Sequence, residues 1–183
     1  PAVYLFDLLA NMVYPAIWAY FTIERYGWSP GMIGIAMMAY GGGLAVVQGA
    51  LVAPTIRLLG NNRTVILGLL IELATLVVLT VITSGIWTLI MIPVISLGAV
   101  GLPALQGIIS RTAPDDSQGE LQGVLASITS VAMIIGPVVM TQIFAVFTTP
   151  GNLIYLPGAP FLLAAFLMLA ALLVFARGPR LSN

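Results

Sequence analysis

Residues 64–83 read TVILGLLIELATLVVLTVIT, twenty residues with one ionisable side chain, Glu72. A helix of that length rises about 30 Å, the thickness of a bilayer's hydrocarbon core. The apolar run is continuous rather than alternating, so it reads as a membrane helix and not as a barrel strand. The same texture recurs along the chain near residues 3–22, 32–53, 86–108, 119–148 and 154–176. Turn-forming residues separate the runs: Gly27-Trp28-Ser29-Pro30, Gly60-Asn61-Asn62, Thr83-Ser84-Gly85, Pro114-Asp115-Asp116 and Thr149-Pro150-Gly151-Asn152. With no linker or low-complexity tract between them, residues 1–183 read as one all-α integral membrane bundle of six transmembrane helices. The fifth run is long enough to begin in a turn outside the membrane or to cross at a tilt.

Composition excludes other classes. Of 183 residues 60% are hydrophobic and 7% charged, and mean hydropathy is +1.11. A soluble domain carries about 25% charge, and disorder needs low hydrophobicity. Six scattered arginines make no basic patch for nucleic acid. Without Cys or His there is no disulfide, no Cys/His zinc site and no Ser-His catalysis. No enzyme, no cofactor and no metal site is expected.

Arginine placement orients the bundle. The side holding both termini carries Arg57, Arg63, Arg111, Arg177 and Arg180, and the other side only Arg25. The positive-inside rule then puts both termini in the cytoplasm. Pro1 leads into the first span with no charged n-region or cleavage site, so that stretch reads as a span, not a signal peptide. The chain itself reads as a piece of a longer one.

Several residues are out of place in lipid. Glu72 lies about 12 Å into its span by helix rise, near the midplane, where an acid costs about 2.5 kcal/mol or more to insert. Such acids face a cavity or partner and carry protons or bind cations; the alternative is a hydrogen bond to a neighbouring helix. Asp7 sits a turn or so into span 1, near the interface, with Asn11 one turn further on the same face. Gln48, Gln106 and Gln122 either bond between helices or line a polar path, and in both cases are expected to point inward. Glu24 and Arg25, flanking the first outer loop, read as a solvated or headgroup pair. Trp18, Trp28 and Trp87 read as an aromatic belt, and Ser117 with Glu120, beside Asp115 and Asp116, as a capping box.

Small residues recur every fourth position at Gly41, Ala45, Gly49 and Ala53, and again at Gly119, Gly123 and Ser127, which lets helices approach closely. Pro15, Pro93, Pro103 and Pro137 interrupt spans 1, 4 and 5. Spans 1 and 4 open two three-helix groups, and matching interruptions there point to an inverted repeat around a transport pathway.

Leu102-Pro103-Ala104-Leu105-Gln106-Gly107, continuing through Ser110-Arg111 and Gln118-Gly119-Glu120-Leu121-Gln122-Gly123 to Ile135-Gly136-Pro137, resembles the C-terminal half of major facilitator superfamily transporters of the tetracycline-resistance type. Glu24-Arg25-Tyr26-Gly27-Trp28-Ser29 resembles the segment after that family's seventh helix, and Arg57-Leu58-Leu59-Gly60-Asn61-Asn62-Arg63 its second-half cytoplasmic loop motif. The resemblance implies helices seven to twelve of a twelve-helix pump, one half with a 3+3 inverted repeat. It implies proton-coupled export of amphipathic drugs by alternating access, in a bacterial inner membrane. That family carries an acid four residues after a Gly in its ninth helix, and Gly68 and Glu72 have that spacing. Glu72 and Asp7 are then the expected proton-coupling acids. Asn11, Gln48, Gln106 and Gln122 are the expected substrate pathway, and Arg57, Gly60 and Arg63 the gating loop. The expected partners are lipid, protons, an amphipathic small molecule, and either an N-terminal six-helix half or a second copy. The alternative reading is a stand-alone six-helix protein that homodimerises into a transporter or pore.

Overall fold

A computed structural model describes residues 2–112, 114, 117–151 and 154–178. Pro1, Asp115, Asp116, Asn152 and Arg180 lie outside the described residues, so the expectations resting on them are not addressed. The described elements are helices α1 (Ala2–Asn11), α2 (Val13–Tyr26), α3 (Pro30–Val46), α4 (Val52–Leu59), α5 (Asn61–Val81), α6 (Gly85–Gly98), α7 (Gly101–Thr112), α8 (Gln118–Thr148) and α9 (Ala159–Arg177), with a π-helical turn, Val47–Leu51, between α3 and α4. They combine into six helices long and apolar enough to cross a membrane: Ala2–Tyr26, Pro30–Leu59, Asn61–Val81, Gly85–Thr112, Gln118–Thr148 and Ala159–Arg177. These are spans 1 to 6. No strand occurs among the described residues.

Local chemistry sets the ends. Gly27 takes a left-handed φ of 65° and closes α2, donating its N–H to the Ile23 carbonyl at 2.9 Å. Ser29 then caps α3, its Oγ accepting from the Met32 N–H at 3.4 Å, with Pro30 at the first helical position. Gly60, at φ 77°, makes the tight link from α4 to α5. Spans 2 and 4 each run several residues past the apolar stretches because polar ends continue the helix beyond its lipid-facing part. Span 5 is one unbroken helix of 31 residues, about 46 Å long.

The breaks in spans 1 and 4 follow from proline. Pro15 has no N–H for the Asn11 carbonyl, and the helix lapses at Met12. Pro103 likewise leaves the Ala99 carbonyl without its partner, and α6 gives way to α7 across Ala99-Val100. Pro93 and Pro137, in contrast, sit inside continuous helices. The two breaks therefore occupy corresponding places in the two three-helix groups.

Span 3 lies at the centre. It packs on span 6 and on both pieces of span 4 and buries Val65, Leu69, Leu76 and Leu79. Close approach depends on glycines outside the small-residue stripes. A β-carbon on Gly68 would stand 2.5 Å from the Gly101 Cα and 2.8 Å from the Gly98 carbonyl oxygen. One on Gly136 would meet Met12 at the span 1 break, and one on Gly158 the Thr80 backbone. By contrast, nothing lies within 4 Å of a β-carbon at Gly41, Gly49, Gly119 or Gly123. The stripes on spans 2 and 5 do not pack this bundle; they face out of it.

Three polar expectations are corrected. Ser117 makes no side-chain cap for α8, because its backbone (φ −105°, ψ 5°) lacks the extended geometry that aims a capping hydroxyl. Gln118 instead reaches back, its Nε2 donating to the Ser110 carbonyl at 2.9 Å. Glu24 and Arg25 do not form a mutual solvated pair. Arg25 donates to the terminal carbonyls of span 3 at Val81 and Ile82 (3.2 and 3.1 Å), and Glu24 accepts from the Tyr155 hydroxyl at 2.6 Å. That bond raises the Tyr155 phenol above its ordinary value; it holds below the usual phenol range and is lost as pH rises through the raised value. Trp18 is buried in the core rather than in a belt, while Trp87 is exposed near a span end.

Gly68→Val should lower stability by about 1–3 kcal/mol through overpacking against span 4, whereas Gly41→Ala, with open space around it, should raise it by about 0.5–1 kcal/mol through helix propensity. Thermal unfolding in detergent checks both.

A buried carboxyl pair as candidate functional site

Asp7 and Glu72 meet. Asp7 is 3% exposed and Glu72 7%, so neither lies at an interface with water. The Glu72 side chain faces the side chains of Asp7 and Asn11. Span 1 supplies Asp7 and Asn11 from the turn just before its break, and the Asn11 amide donates to the Asp7 carbonyl at 3.0 Å. Span 4 supplies the opposite wall from the last turn before its own break: a β-carbon on Gly98 would stand 2.5 Å from Glu72 Cγ. Glycine there makes the room in which the carboxyl lies. An ionised carboxylate only accepts hydrogen bonds, so two facing carboxyls can bond to each other only when one carries a proton. The Oδ2 atom of Asp7 is buried with no hydrogen-bond partner.

Beside the pair is an aromatic cavity of about 330 Å³, lined by Asn11, Tyr14, Trp18, Met37, Tyr40 and Ile95 among others. Tyr14 stacks on Tyr40 at a centroid distance of 5.8 Å and leans on Trp18 and Phe161 at 6.4 and 6.1 Å. The Tyr14 hydroxyl is buried and unpartnered. The neighbouring Thr75 hydroxyl is used elsewhere, donating to the Glu72 carbonyl at 2.9 Å. Flat apolar walls with a few polar tips suit an amphipathic ring system.

Gln106 and Gln122 come together in a second, more polar pocket of about 630 Å³ with Tyr4, Ser110, Thr129 and Ser130. The Tyr4 hydroxyl lies 3.2 Å from Thr129 Oγ1 and 3.4 Å from Gln106 Nε2. Contrary to the inward orientation expected, Gln48, Gln106 and Gln122 are all exposed. Gln48 sits apart on the π-helical turn. Arg57, Gly60 and Arg63 line a third pocket. No group of three metal-ligating acids occurs among the described residues.

The Major Facilitator Superfamily model matches residues 2–183. The chain belongs to that superfamily. The match makes it an integral membrane member of a transporter family rather than an enzyme. Among curated proteins, this superfamily member is similar to the class C tetracycline resistance protein of Escherichia coli, at 32% identity over 93% of this chain and 42% of that protein. It is also similar to the class G protein of Vibrio anguillarum, at 30% over 79% and 37%. Hippocampus abundant transcript-like protein 1 of Mus musculus matches at 30% over 76% and 31%. The chain thus spans less than half the length of these relatives.

Sequence reasoning found Glu72, Asp7 and Asn11 but missed Tyr14, Tyr40, Trp18 and Gly98. Tyr14 carried a readable signal, a phenol three residues past Asn11 and deep in a span. Tyr14→Phe should raise stability by about 1 kcal/mol, since an unpaired buried hydroxyl is removed without changing the ring. Chemical unfolding of the two proteins in the same detergent measures it.

Proposed function

We propose that this chain is the second six-helix half of a proton-coupled exporter of amphipathic, tetracycline-like drugs that works by alternating access. The observation that carries the reading is the buried Asp7–Glu72 pair, set at both helix breaks and beside an aromatic cavity. A proton bound between the carboxyls leaves the pair with one negative charge instead of two. Loss of that proton leaves like charges in an apolar interior, which favours a rearrangement that readmits water or a cationic substrate. Asn11 orients the acids, and Gln48, Gln106 and Gln122 continue the substrate pathway toward the missing half. Names of the similar proteins support the drug class.

The second half of the proposal concerns the partner. Spans 2 and 5 are the least buried, with 11% and 22% of their apolar windows inside the bundle, against 39–50% for the others. They also carry the outward-facing stripes of Gly41, Ala45 and Gly49 and of Gly119, Gly123 and Ser127. We assign these faces to the N-terminal half, against which this bundle rocks. Arg57, Gly60 and Arg63 form the loop that closes the pathway on the cytoplasmic side, where both termini lie, in a bacterial inner membrane. The same two faces would also serve a second copy of the chain, which is the alternative reading.

The test is transport in liposomes holding an internal pH dye under an imposed gradient, with tetracycline added outside. Protein containing both halves should show substrate-dependent proton movement. Glu72→Gln should reduce it to the level of empty liposomes, and Glu72→Asp should keep part of it. Full coupling in Glu72→Gln contradicts the assignment. Flux from the 183-residue chain alone would favour the homodimer, and none from a well-folded sample would exclude it.

A further inference from the structure

We propose that the arginine-lined pocket at the α4–α5 turn binds the phosphate of an anionic phospholipid. The pocket has a volume of about 490 Å³, and its walls include Arg57, Arg63 and Arg111. Three separate helices deliver these side chains: Arg57 from the end of span 2, Arg63 from the start of span 3 and Arg111 from the end of span 4. No Asp or Glu lines the pocket among the described residues. The convergence depends on Gly60, whose φ of 77° turns the chain from α4 into α5 within one residue. The N-terminal end of α5, which begins at Asn61 in the pocket wall, adds partial positive charge on the same side.

The arginines alone do not choose between a lipid phosphate and a free one; guanidinium pairs with both. The surroundings favour lipid. The pocket lies at the ends of three membrane-length helices, where a bilayer places its headgroups. Leu58, which is 83% exposed, and Leu59 stand on its rim. They give an acyl chain an apolar surface next to the charged pocket. The pocket shares Arg57, Gly60 and Arg63 with the proposed gating loop, but the inference uses none of the carboxyl pair, the aromatic cavity or the glutamines, and its lipid readout is independent of transport.

Native mass spectrometry of the purified protein tests it, with phosphatidylglycerol and phosphatidylcholine as competing probes and inorganic phosphate in a separate arm. Phosphatidylglycerol should be retained over phosphatidylcholine, and an Arg57→Gln/Arg63→Gln variant should lose on the order of tenfold in that preference. Unfolding midpoints in phosphatidylcholine show whether the variant is folded; if it is not, Arg57→Gln alone should lose a smaller part of the preference. Equal retention of both lipids by the wild type overturns the proposal, as does a preference unchanged in the folded double variant. Displacement of the lipid by millimolar phosphate would make the pocket a free-anion site and would also overturn it. A preference that appears only in Asp115→Asn/Asp116→Asn would mean that the chain's own acids occupy the arginines, with the same consequence.

Discussion

Two carboxyl groups buried together in an apolar bundle are the constraint on which the rest of this structure depends. A single acid at the centre of a membrane helix costs about 2.5 kcal/mol or more, and Asp7 and Glu72 face each other at 3% and 7% exposure. Nearby groups offset little of that cost. Asn11 turns a neutral amide toward Glu72, and Asp7 Oδ2 has no hydrogen-bond partner. Folding alone gives no reason to place acids there. A protein that binds and releases protons does, because the state that is unfavourable in one protonation form becomes acceptable in the other.

The pair lies between two helix breaks that proline sets. Pro15 and Pro103 break spans 1 and 4 at equivalent positions, and each break stands against the acids, through Asn11 on one side and Gly98 on the other. Freed carbonyls near a break can be satisfied by water or ligand rather than by helix. Gly68 and Gly101 bring span 3 against span 4, and Gly98 leaves room for Glu72 between them. The aromatic cavity opens beside this point, so a ligand held by Tyr14 and Tyr40 would lie next to the acids.

Much of this was legible in the residues. Continuous apolar runs gave six helices because a bilayer allows little else, and Glu72 stood out because the apolar run 64–83 is otherwise without charge. The partnership of Asp7 with Glu72 was hidden. It depends on how spans 1 and 3 rotate about their axes, which 65 residues of separation do not encode in any local pattern. Proline chemistry alone did not say which prolines would mark breaks; Pro93 and Pro137 have the same chemistry as Pro15 and Pro103 and leave their helices continuous. Small-residue stripes were read as packing surfaces, and the packing within the bundle proved to use other glycines. The stripes face outward, away from the contacts that hold these six helices together.

Proton release on substrate binding tests the central claim most directly. Tetracycline would be added to protein containing both halves, in weakly buffered detergent with a pH indicator. If the Asp7–Glu72 pair exchanges its proton for substrate, wild type releases protons at neutral pH, and neither Asp7→Asn nor Glu72→Gln does so while still folded. Equal release from wild type and both variants would place the proton elsewhere and contradict the account.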